Sequence, residues 1–185
     1  MKAECCLVLR QELINLYRDS FFSLPLVLKD GTRLSFEDVI KSLDSDTVSY
    51  ACGLGRGLSE GIEIMIRVAK DKYPQAISWL RDLLFNSEFD VERLRITSKK
   101  AIQGLPSQKR SGNTVAASAY NSLETDESKS ISTTAQLLYR VEHEPKVAER
   151  LQSEPEAVVN DLKALRTACK TASPLLWTSA NYRWQ

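Results

Sequence analysis

One histidine, His143, is all that 185 residues contain. Helical zinc motifs such as HExxH and its inversion HxxEH need two imidazoles one turn apart with a carboxylate beside them, and neither motif occurs in this sequence. Cysteine is scarce as well: Cys5, Cys6, Cys52 and Cys169 show no CxxC spacing and no companion cluster of histidines. Adjacent Cys5 and Cys6 do not readily pair, and a chain of this size does not require disulfide staples. Reduced thiols and a cytoplasmic location are therefore expected, with a mitochondrial one open if the true N-terminus lies further upstream. Long apolar runs are missing too. The patch from Cys5 to Leu9 is bounded by Glu4, Arg10 and Glu12, short of a signal-peptide core and far short of the roughly 18 residues of a membrane-spanning helix. Nor is there an excess of one charge, since 25 basic residues balance 24 acidic ones. Composition thus gives no electrostatic pull toward nucleic acid or an anionic membrane.

What is present is an ordinary globular composition, 43% apolar and 26% charged, in a chain long enough to form one core. The expected fold class is α+β: an antiparallel hairpin or partial sheet packed by several helices, in one domain over 7–168 followed by an irregular tail at 169–185. The tail leaves Trp177, Tyr182 and Trp184 without an evident packing partner. From Leu7 to Phe22, Leu9, Leu13, Leu16 and Tyr17 recur at helical spacing until Leu24-Pro25 stops the helix. Lys29 to Thr32 reads as a tight turn. Ser35 with Asp38 resembles a capping box opening a helix through Leu43, with Phe36, Val39, Ile40 and Leu43 as its buried stripe. The pattern then changes to period two. Val48, Tyr50, Cys52 and Leu54 form one alternating strand and Ile62, Ile64, Ile66 and Val68 another, joined by Gly55-Arg56-Gly57 in an antiparallel hairpin.

Helical spacing returns after Asp71, expected to cap a helix over 72–86 with Tyr73, Ile77, Leu80 and Leu84 toward the core and Trp79 and Leu83 also buried. Asp90 caps the next, lined by Val91, Leu94, Ser98, Ile102 and Leu105 until Gly104 to Pro106 disturbs it. Both helices are expected against the Ile62 to Val68 face. Further helices are expected at Thr114 to Leu123, Ile131 to Val141, Pro145 to Leu151, and Pro155 to about Ala168 behind a Ser153 cap, with a loop around Glu124 to Ser132. A lone two-stranded hairpin is marginal as a sheet. Either its remaining strands lie outside this chain, or the Leu24 to Leu28 segment fills an edge.

Four features bear on chemistry. His143, flanked by Glu142 and Glu144 with Glu149 beyond, could contribute to a partial metal site, but a single histidine near a helix start is more simply a solvated or capping residue. Cys52 alternates with core residues, which favours a small core side chain over an activated thiolate. The glycines of Gly53 to Gly61 superficially resemble a nucleotide loop, yet a strand rather than a helix follows them, so a hairpin turn is the better account. Arg93, Arg95, Lys99, Lys100, Lys109 and Arg110 could form a basic ridge, but aromatics are not interleaved and a solvated helix face is the default. No catalytic, cofactor-binding or metal-binding residue is assigned.

The segment order carries a resemblance. Lys70 to Tyr73, Trp79 to Leu83, Phe89 to Arg93 and Pro106 to Gly112 follow the succession KxKY, W-L-R-D-L, F-D-x-E-R and P-x-Q-K-R-x-G. In that order they resemble the C-terminal half of the pitrilysin and insulin-degrading family of inverted-motif zinc metallopeptidases, in particular a fungal branch near the presequence proteases. Including LPLVLKDGTRLSFEDVIKSLDSDTVSYACGLG upstream and SEPEAVVNDLKALR downstream, the resemblance covers about Leu13 to Arg166. It implies a metal-free, chamber-forming α+β domain whose partner is a catalytic N-terminal half of the same protease or a peptide substrate, with zinc and the general base supplied by an HxxEH absent here. The chain is then expected to be an inactive piece of a longer protein, with a stand-alone protein-interaction module as the alternative.

Overall fold

A computed structural model describes residues 2–28, 31–54, 62–124 and 130–171, with side chains described within those ranges from residue 11 to residue 168. It is α-rich with two small antiparallel hairpins, so the α+β expectation holds. The first helix, α1 (Lys2–Ser20), buries Leu13, Ile14, Leu16 and Tyr17, but also Gln11 and Asn15. Over residues 11–20, burial on nearly every side marks this part of α1 as central. Against it pack α4 (Val91–Lys109), α6 (Leu137–Ser153), α7 (Pro155–Thr171) and the hairpin strand β3 (Ser49–Leu54).

After Phe21 and Leu24, both buried, β1 (Leu26–Val27) pairs antiparallel with β2 (Arg33–Leu34) around Gly31 at φ 83°, a conformation costly to any residue with a Cβ. The Leu24 to Leu28 segment thus does not fill an edge of the larger hairpin. Its second side is taken by Ser87, through a bridge to Leu26 and a bond from Glu88 N–H to Pro25 O at 2.9 Å. Ser35 caps α2 (Phe36–Asp46) as expected, its Oγ accepting from Asp38 N–H, and Val39 and Leu43 are buried. β3 pairs antiparallel with β4 (Ile62–Arg67), placing Tyr50 opposite Ile66 and Cys52 opposite Ile64, and these four side chains pack against the core. The expected Gly55-Arg56-Gly57 connection lies outside the described residues.

Four expectations are corrected. First, Asp71 does not cap a helix. Residues Lys70–Lys72 form a 3-10 turn, and α3 (Tyr73–Asn86) starts without a side-chain cap and with Pro74 in its first turn. The stripe it buries is Ala76, Trp79, Asp82 and Leu83, while Tyr73 is 51% and Ile77 36% exposed and Leu80 and Leu84 are half-buried. Second, α4 packs on α6 and α1, so the hairpin is backed by α1 and α3 instead. Third, Ile131–Ala135 is a 3-10 turn, because Thr133 and Thr134 return their hydroxyls to Ser130 O and Ile131 O at 2.6 Å each, local bonds that compete with a helix. Helix α6 begins only at Leu137 and runs unbroken through Pro145, as α4 does through Pro106. In α6, burial of Leu137, Val147 and Leu151 on both sides of the proline offsets the missing N–H. Fourth, Ser153 does not cap α7; its hydroxyl closes α6 by donating to Glu149 O and Arg150 O. Helix α5 (Gly112–Glu124) includes the expected Thr114 to Leu123, and α7 continues three residues into the expected tail. The remainder of that tail, 172–185, is outside the described residues.

The rotation of α3 makes a direct prediction. Leu83 is fully buried and Leu80 is not, so Leu83→Ala should cost about 3 kcal/mol and Leu80→Ala less than about half of that. Denaturant melts of the two variants give the order; the reverse order would restore the stripe read from sequence.

Candidate functional site

His143 stacks on Tyr139 with ring centroids 3.8 Å apart, and its Nδ1 lies 3.0 Å from Tyr139 O. A ring held this way within one helix turn is committed to its own helix. Among the described residues no group of three His, Cys, Asp or Glu side chains could hold a metal ion. Cys52 lies half-buried on the core side of β3. The loop Gly55 to Gly61 is outside the described residues. The basic ridge on α4 is dispersed: Arg93 covers the Phe36 ring at 3.2 Å and Arg95 pairs with Glu92 at 2.6 Å, leaving Lys99, Lys100, Lys109 and Arg110 exposed.

Two polar arrangements join residues distant in sequence, apart from the i,i+4 pair of Arg140 and Glu144 within the first. The first lies where α1, α4 and α6 meet, around a cavity of about 20 Å³ lined by Asn15, Asp19, Ser98 and Glu144 among others. Asn15 is 2% and Glu144 7% exposed. Asn15 Nδ2 donates to Thr134 O at 2.6 Å, and Arg140 donates to Glu144 Oε1 while lying 3.8 Å from Asp19. Asn15 Oδ1 and Glu144 Oε2 are buried without a protein donor. The volume suits one water, which could donate to both. Desolvation raises the Glu144 pKa above its ordinary 4.5, outweighing the opposing effect of Arg140.

The second is an open cleft of about 450 Å³ at the start of α4, lined by Arg33, Ser87, Glu88, Phe89, Asp90, Lys163 and Arg166 among others. Asp90 caps α4 as expected, accepting from Glu92 N–H at 2.8 Å and Arg93 N–H at 3.3 Å. Arg166, whose pKa is lowered by burial, donates to Ser87 O at 2.6 Å and sits over the Phe89 ring, tying α7 to the α3–α4 connection. Arg33 pairs with Glu88 at 2.6 Å. The cleft therefore combines the Arg33–Glu88 ion pair, the capping Asp90 and a locked Arg166 with the exposed Lys163. Neither arrangement pairs a nucleophile with a base.

A third set of bonds orders the elements beneath the hairpin. Trp79 Nε1–H donates to Asp46 Oδ2 at 3.0 Å, and Lys72 reaches Asp46 Oδ1 and Ser45 O. The Trp79 bond is the main reason the Asp46 pKa is lowered. It compensates a carboxylate placed unfavourably at a helix C-terminus.

The chain is similar to three uncharacterized proteins. It is 29% identical to one from Caenorhabditis elegans over 155 residues, covering 83% of this chain and 15% of that protein. A Saccharomyces cerevisiae protein is 30% identical over 110 residues, 56% of this chain and 11% of its own length. A Schizosaccharomyces pombe protein is 28% identical over 97 residues, 46% of this chain and 9% of its own length. The chain therefore spans less than a sixth of the curated relatives it matches. No family model and no solved structure matches it. Among the described residues no helix is long and apolar enough to cross a membrane.

The Glu144 environment has a pH signature. A carboxyl whose pKa is raised in the folded state stabilises the fold fully below its unfolded value, and that contribution is lost as pH rises through the folded value. The stability of the parent minus that of Glu144→Gln should therefore fall as pH rises above the ordinary 4.5, measured by urea unfolding at several pH values. A flat or rising difference would contradict the burial-dominated account.

Proposed function

We propose that this chain is a metal-free, chamber-forming domain of a zinc metallopeptidase of the pitrilysin and insulin-degrading type, supporting peptide hydrolysis by a catalytic half that it does not contain. The observation that carries the reading is the ordered succession of segments from Leu13 to Arg166, from KDKY through WLRDL and FDVER to PSQKRSG. What supports it physically is the division of labour within the fold. Helices α1 and α3 back one face of a two-stranded sheet, and the polar clusters join helices to one another without pairing a nucleophile with a base. The greater length of the relatives also accords with a domain embedded in a larger protein. Its partner in this reading is the catalytic N-terminal half, or the peptide enclosed between the halves. The compartment is the cytoplasm, or the mitochondrion if a targeting segment precedes the chain.

A stand-alone interaction module is the second reading, favoured by the exposed Tyr73 and Ile77 on the helix that backs the hairpin. The two separate in one assay. The purified chain should not cleave an unstructured peptide and should not retain stoichiometric zinc after dialysis, whereas adding an HxxEH-bearing N-terminal half should produce chelator-sensitive cleavage. Zinc retention with cleavage by the chain alone would overturn the proposal. Failure of the added half to gain any activity from this chain would favour the interaction module.

A further inference from the structure

A two-stranded ribbon leaves a row of backbone donors and acceptors on each outer side. The two sides of this hairpin differ in their surroundings. Strand β3 lies against α1 and the 3-10 turn at Ile131–Ala135, while β4 is packed by α3 but has no second strand beside it among the described residues. That helix also leaves Tyr73 and Ile77 exposed. A strand edge without a neighbouring strand is a surface to which another strand can add.

The sequence of β4 indicates which strand. Residues 62–68 read Ile-Glu-Ile-Met-Ile-Arg-Val, symmetric about Met65 in apolar character and antisymmetric in charge. By the alternation of the strand, Ile62, Ile64 and Ile66 face the core while Glu63, Met65 and Arg67 face outward. Glu63 and Arg67 are exposed, and neither makes an ion pair among the described residues. Antiparallel pairing with a second β4 centred on Met65 sets Glu63 opposite Arg67 of the other copy, twice by symmetry, and Ile64 opposite Ile66. Parallel pairing in register would set Glu63 on Glu63 and Arg67 on Arg67. A slip of one residue would move the isoleucines to the outer face. Charge and apolar pattern thus select one arrangement.

We propose that the β4 edge is a self-association surface, on which a second copy of this chain adds its own β4 antiparallel about Met65 to make a four-stranded sheet. This goes beyond the peptidase-domain reading and does not depend on it. The test is the oligomeric state of the 185-residue chain by analytical ultracentrifugation from micromolar to hundreds of micromolar concentration. A concentration-dependent dimer is expected. Glu63→Arg alone and Arg67→Glu alone each place like charges opposite one another and should weaken dimerisation about tenfold or more. The double variant restores the opposite pairing and should return to within about threefold of the parent. Circular dichroism establishes that each variant is folded. Independently, Met65→Cys should give a disulfide-linked dimer under mild oxidation that the parent, with its native cysteines, does not give under the same conditions. A monomer throughout the concentration range would overturn the proposal. So would equal behaviour of single and double variants, or a dimer that Met65→Cys does not cross-link, since either means that the edge takes a different occupant.

Discussion

The structure depends on the burial of α1 on nearly all of its sides over residues 11–20. Leu13, Ile14, Leu16 and Tyr17 leave water together, and Phe21 and Leu24 extend the same apolar column beyond the helix. Each large apolar side chain fully buried is worth about 1.5 to 3 kcal/mol, so this single element organises much of the core. Helices α4, α6 and α7 meet it from different directions, and β3 rests on it as well. Surrounding a helix on all sides also buries its polar positions. Asn15 must find Thr134 O across 119 residues of sequence, and Glu144 is enclosed with one oxygen lacking a protein donor. Arg140 bonds Glu144 one turn along α6 and reaches Asp19 of α1 at 3.8 Å, so the guanidinium links the enclosed carboxylate to the neighbouring helix.

The hairpin is held differently. One face packs on α1 and α3, and Trp79 and Tyr50 anchor the surroundings to the end of α2 through Asp46 and Asp44. Its hydrogen-bonding edge remains a strip of backbone with alternating charge. The fold therefore combines a helical cluster around α1 with a sheet that has two strands among the described residues. That asymmetry is what a domain inserted in a longer protein and a self-pairing chain have in common, and it bears on any function.

Local chemistry was legible in the sequence. Ser35 and Asp90 accept the backbone donors that their positions announced, and the period-two stretches became β3 and β4. Periodicity could not choose between two stripes on α3. Ala76, Trp79 and Leu83 compete with Tyr73, Ile77, Leu80 and Leu84, and it is the first set that is buried where α3 packs among β1, α2 and β4. Proline was over-weighted, since Pro106 and Pro145 sit within helices whose flanking leucines and valines are buried. Of the polar clusters only the i,i+4 spacing of Arg140 and Glu144 on α6 was open to a sequence reading. Asn15 meets Thr134 across 119 residues and Arg166 finds Ser87 across 79, contacts that form only when the elements have packed.

The measurement closest to the central claim is residue-resolved native-state hydrogen exchange across the folded chain. If α1 organises the core, the amides of Leu13 to Tyr17 should exchange only through global unfolding, while those β4 amides that face the open edge exchange through local opening at lower free energy. Slowest exchange in β3 and β4, with α1 opening first, would contradict the account and make the hairpin the organising element.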